Sequence, residues 1–77
     1  MRDPLQDIME ERFRQDEKWG EQNHTPARWL IILGEEYGEA CHGALRDFDE
    51  YREELVHVAA VALAALESFD RGKWRQS

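Results

Sequence analysis

Two acidic motifs, Glu35-Glu36-Tyr37-Gly38-Glu39 and Glu53-Glu54-Leu55-Val56-His57, hold the residues of this chain best suited to chemistry. Side chains three apart on a helix are separated by about 60° around the axis, and those four apart by about 40°. Glu36 and Glu39, Glu35 and Glu39, and Glu54 and His57 therefore project in pairs to one side of their helices. If the two segments are antiparallel helices joined by a short loop over 46–49, the pairs face each other at similar depth. Carboxylate oxygens gathered in this way suit a hard divalent cation such as Mg2+, with water and substrate phosphates filling its remaining positions. Acidic pairs also decorate ordinary solvated helix faces, and spacing alone leaves that reading open.

The elements that must position these residues are all helical. Asp3-Pro4-Leu5-Gln6 is a helix start, with Asp as cap, Pro at the first helical position and Gln completing a capping box. Leu5, Ile8, Met9 and Phe13 follow at helical spacing, and Gly20 is the stop, giving a first helix over about 4–19. Thr25-Pro26 repeats the start signal for a second helix over about 26–45. Its apolar face comprises Trp29, Leu30, Leu33, Tyr37, Ala40, Cys41 and Ala44. Asp47 or Asp49 caps a third helix over about 49–70, ended by Gly72. Residues 58–66 of that helix read VAAVALAAL, apolar on every side, and two companions from so small a chain cannot cover it all round. The expected architecture is an all-α, single-domain, three-helix chain, residues 1–77, that self-associates into a helical bundle as a homodimer or homotetramer.

Composition sets limits on partners. The 77 residues carry a formal net charge of −7, which argues against binding a nucleic-acid backbone. No stretch approaches the roughly 18 apolar residues of a membrane span. The single cysteine, Cys41, permits no intrachain disulfide and fits a reducing, cytoplasmic setting.

The order WLIILGEEYGEACHGAL followed by REELVHVAAVALAALESFD resembles the MazG-like all-α nucleoside triphosphate pyrophosphohydrolases, whose signature is EExxE, a spacer, then ExxD on the next helix. The upstream RFRQDEKWGEQNH resembles the N-terminal segment of short members, so the similarity spans about Phe13 to Asp70. The resemblance implies helical bundles assembled as dimers or tetramers. It also implies Mg2+-dependent cleavage of an NTP or dNTP to the monophosphate and pyrophosphate. On this mapping Glu36, Glu39 and Glu54 are metal ligands, and Glu35 is a further ligand or the base that orients water.

The chain departs from the pattern at His57, which stands where the family has Asp. A neutral imidazole nitrogen in place of an anionic oxygen weakens Mg2+ relative to Mn2+, Zn2+ or Fe2+. His57 can be a ligand of a retuned site, a partner that orients a ligating Glu, or a semi-buried histidine in an impaired one. The last case makes the chain a nucleotide-binding or protein-interaction module rather than an enzyme. A third class, a di-iron carboxylate bundle, uses Glu from two helices and Glu-x-x-His from two others, an inventory that a dimer of this chain supplies.

Substrate contacts are sought upstream. Arg14 and Lys18 share a face of the first helix and could reach phosphates, as could Arg28, although each of the three could instead pair with Glu10, Glu11, Asp16 or Glu17 on the surface. Trp19, Gln22, Asn23 and His24, with Trp29 soon after, could form a nucleobase pocket or simply a core staple and a polar turn. Tyr37, Trp29 and Cys41 are expected in the core, His42 on the outer face, and Lys73-Trp74-Arg75 as a frayed end.

Overall fold

The computed structural model describes residues 2–76, the side chain of Gln76 excepted. It consists of α1 (Pro4–Trp19), α2 (Pro26–Arg46), α3 (Phe48–Arg71) and a short 3₁₀ turn (Lys73–Gln76), with no strand among the described residues. The boundaries follow from local chemistry. Asp3 accepts the Leu5 amide and Thr25 the Arg28 amide, each ahead of a proline. Gln6 does not complete the expected capping box, because its amide donates to Glu10 at 3.2 Å. Asp47 ends α2 and caps α3, accepting the Asp49 amide at 2.8 Å, so the expected 46–49 loop contracts to one residue. Gly20 (φ 72°) and Gly72 (φ 73°) close α1 and α3 at positive φ, Gly72 in the left-handed helical conformation and Gly20 in a more extended one.

The central element is α3. Both α1 and α2 lie against it, but they do not pack on each other. The tight Asp47 connection makes α2 and α3 antiparallel, and their backbones approach closely at Gly43. A β-carbon there would sit 3.0 Å from Tyr51 Cα. Trp29, Val61 and Ala64 form the core with Ile32, Leu33 and Ala65 around them, and Ala40 and Ala60 are also buried. No helix is long and apolar enough to cross a membrane among the described residues.

The inward side of α1 is polar. Asp7 pairs with Arg52 at 2.8 Å, Glu11 approaches His57, and Arg12 reaches Glu67. The apolar stripe Leu5, Met9 and Phe13, expected to bury α1, faces outward instead, with Phe13 62% exposed. The apolar face of α2 is likewise only half covered. Leu30, Tyr37, Cys41 and Ala44 are exposed, Tyr37 at 65% instead of in the core.

 Of that face only Trp29 and Ala40 are buried, with Leu33 partly so, because α3 covers one side of α2 and nothing among the described residues covers the other. Cys41 is thus a surface thiol rather than a core residue. On α3, Ala60, Val61 and Ala64 are buried, while Tyr51, Leu55, Leu66 and Phe69 are exposed along one stripe. Lys73–Gln76 form a 3₁₀ turn where a frayed end was expected. Trp74 stacks on Phe69 with ring centroids 5.7 Å apart and donates its Nε1 proton to the Phe69 carbonyl.

Candidate metal centre and adjoining cleft

Helix spacing brings Glu36 of α2 against Glu54 and His57 of α3. One ligand atom from each lies within 4.8 Å of the other two. All three side chains are partly buried. Desolvation, reinforced by the neighbouring charge of Glu39, pushes the Glu36 carboxyl above its ordinary pKa. Desolvation also raises Glu54, opposed by His57 and reinforced by Glu39. Glu54 Oε2 is buried without a hydrogen-bond partner, and His57 Nδ1 stands 3.4 Å from it without hydrogen-bonding geometry. A buried carboxylate oxygen left unmatched is costly, and a cation would satisfy it. Two carboxylates and an imidazole are a donor set that Mn2+, Fe2+ or Zn2+ accepts readily and Mg2+ less so.

Of the remaining expected ligands, Glu39 is exposed on α2 but close enough to raise both Glu36 and Glu54 electrostatically. Glu35 is exposed on the flank of α2 and lies outside the three-residue cluster. One further acid, not marked by any spacing in the sequence, joins them from α1. Glu11 of α1 is 12% exposed at its side chain and places Oε1 3.6 Å from His57 Nε2. Its charge also raises Glu36. Arg14 pairs with Glu11 and brings its Nη2 to 3.3 Å from His57 Nε2, so it stands beside the cluster as well as in its expected surface pairing. No spacing rule links Glu11 to a site 46 positions away; only the polar character of its neighbours Asp7, Arg12 and Gln15 on the same face marks that side of α1.

A cleft of about 560 Å³ opens beside Glu36, between α1 and α2. Trp19, Gln22 and Trp29 line it, as does Glu36 itself, so one carboxylate belongs both to the cluster and to the cleft wall. Trp29 is core and cleft wall at once, and its ring meets the His24 ring edge-on at 4.9 Å. Lys18 lies over the Trp19 ring at 4.8 Å. Arg28 is exposed at the start of α2 and does not line the cleft.

Two arginines that the sequence reading did not single out do line it, Arg12 and Arg71. Arg12 is only 8% exposed and donates through Nε and Nη2 to Glu67 Oε1, at 3.0 and 2.5 Å. Burial pulls its pKa down, but the bonds and charges of Glu67 and Asp16 outweigh this and raise it. Its guanidinium is therefore a fixed, paired cation in the floor of the cleft.

Comparison with models of known protein families, with curated proteins and with solved structures gives no match for this chain.

Proposed function

We propose that the chain is a divalent-cation-dependent nucleoside triphosphate pyrophosphohydrolase of the MazG-like kind. The observation that carries this reading is the double role of Glu36, which stands in a three-residue, metal-spaced cluster and in the wall of a nucleoside-sized, tryptophan-lined cleft. In this arrangement Glu36, Glu54 and His57 hold the cation, with Glu39 and Glu11 beside them. When bound, the cation supplies charge neutralisation and polarisation of the phosphates. Trp19 and Gln22 flank the nucleoside, directing its triphosphate toward the acids. Arg14 is placed to exchange its contact with His57 for a phosphate oxygen. Glu39 is better placed than Glu35 to orient the attacking water, because it lies beside both Glu36 and Glu54.

The exposed apolar stripes support self-association in the same reading. Tyr51, Leu55, Leu66 and Phe69 recur at helical spacing on α3, and Leu30, Tyr37 and Cys41 do so on α2. A second copy that covers these stripes gives so small a chain the core it lacks alone.

The test is turnover of a panel of NTPs and dNTPs with Mg2+ or Mn2+. Pyrophosphate and the monophosphate are the expected products, lost in Glu36→Gln. Absence of turnover across the panel would remove the enzymatic reading. Nucleotide binding without turnover, with activity appearing in His57→Asp, would favour a binding module instead.

A further inference from the structure

Arg71, in the last turn of α3, makes its directed contacts with the connection between α1 and α2. Its Nε donates to Asn23 Oδ1 at 2.9 Å and its Nη2 to the Gln22 carbonyl at 2.9 Å. The same Nε stands 3.7 Å from Glu21 Oε1. Asn23 uses the other end of its amide to donate to Glu21 Oε2 at 2.9 Å, and Lys73 Nζ reaches that oxygen at 2.8 Å. One residue further on, the His24 amide donates to the buried Ser68 hydroxyl at 3.3 Å. The contacts from α3 thus hold successive residues of a segment that has no helix of its own.

The fastened segment is also part of the cleft wall, which Gly20, Glu21 and Gln22 line together with Trp29 and Glu36. Because α1 and α2 do not pack on each other, the end of α3 fixes where this wall stands. We propose that Arg71 is a positioning residue for the cleft, holding residues 21–23 in place so that Gln22 and Trp19 flank a bound nucleoside. This rests on the nucleotide reading above. A guanidinium is suited to the task because its planar fork directs two bonds at once, whereas an ammonium supplies only a point charge. Lys73 is auxiliary, since it reaches Glu21 alone.

The experiment combines amide hydrogen exchange with calorimetric binding of a non-hydrolysable NTP analogue in Mn2+, on wild type, Arg71→Ala and Arg71→Lys. In Arg71→Ala, exchange at residues 21–24 should accelerate by roughly tenfold while the α2 and α3 core amides are unchanged. The analogue should bind roughly tenfold more weakly, and Mn2+ without nucleotide as in wild type. Arg71→Lys should recover only part of each. Asn23→Ala, which removes the acceptor rather than the donor, should reproduce the faster exchange. Unchanged exchange in Arg71→Ala overturns the proposal, as does faster exchange with unaltered analogue affinity. If the wild type binds no nucleotide, the nucleotide reading itself falls and takes the cleft role of Arg71 with it.

Discussion

A divalent cation bound at Glu36, Glu54 and His57 should stabilise the folded chain by a calculable amount. The carboxylates of Glu11, Glu36, Glu39 and Glu54 converge on one region, with Arg14 beside them, and Glu54 Oε2 is buried without a partner. The unfolded chain separates Glu36 from Glu54 and His57 and has no such site, so cation binding acts on the folded state alone. At a free cation concentration a hundredfold above its Kd, the stabilisation is about 2.7 kcal/mol. For a chain this small each kcal/mol moves Tm by about 4–8 °C, so a rise of about 10–20 °C is expected. The assay is thermal unfolding with Mn2+ or Mg2+ against EDTA, at one fixed protein concentration because an oligomer's Tm depends on it. Glu54→Gln should abolish the rise, and Glu17→Gln, on the exposed side of α1, should leave it intact. No rise in wild type at saturating Mn2+, or the same rise in Glu54→Gln, would refute the site.

Three further outcomes bear on the fold and its electrostatics. Gly43→Ala should destabilise by about 1–3 kcal/mol in urea unfolding, because its methyl meets the Tyr51 backbone at 3.0 Å and backbone cannot swing away. Arg12→Ala should cost about 1–2 kcal/mol by the same measurement, discounted because Glu67 is 43% exposed and regains water when unpaired. In EDTA, stability in urea unfolding should fall as pH rises from about 4.5 through the raised pKa values of Glu36 and Glu54. The sign follows from Glu36 and Glu54, whose folded pKa values lie above the unfolded 4.5, so the folded state holds more protons until both have ionised. Glu21, lowered to about 2 by Asn23 and Lys73, acts in the opposite sense, its contribution being lost as pH falls below about 4.5. The double variant Glu36→Gln, Glu54→Gln should flatten the profile.

The helices were legible because their ends are chemically marked. Asp3-Pro4, Thr25-Pro26, Asp47 and Gly72 each act within one or two residues of the boundary they set. Glu36, Glu54 and His57 were legible for a related reason, since helical spacing and a tight antiparallel connection suffice to align them. What could not be read were contacts between segments distant in the chain. Glu11 at His57, Arg12 at Glu67 and Arg71 at Asn23 depend on how α1 and its connection dock on α3, which no local pattern encodes. The apolar stripes of α1 and α2 misled in the opposite direction. Periodicity identifies a face that avoids water, but not whether this chain or another copy covers it, and Phe13, Leu30, Tyr37 and Cys41 are exposed here. The 3₁₀ turn was not legible because it is held by contacts such as that of Trp74 with Phe69 rather than by a periodic pattern.

The most direct test is a crystal soaked with Mn2+ and a non-hydrolysable NTP analogue, read by anomalous scattering. The expected result is a metal peak within bonding distance of Glu36, Glu54 and His57, with phosphates on the metal and the base in the cleft beside Trp19. A nucleotide bound elsewhere, or a peak that none of these three residues touches, would contradict it.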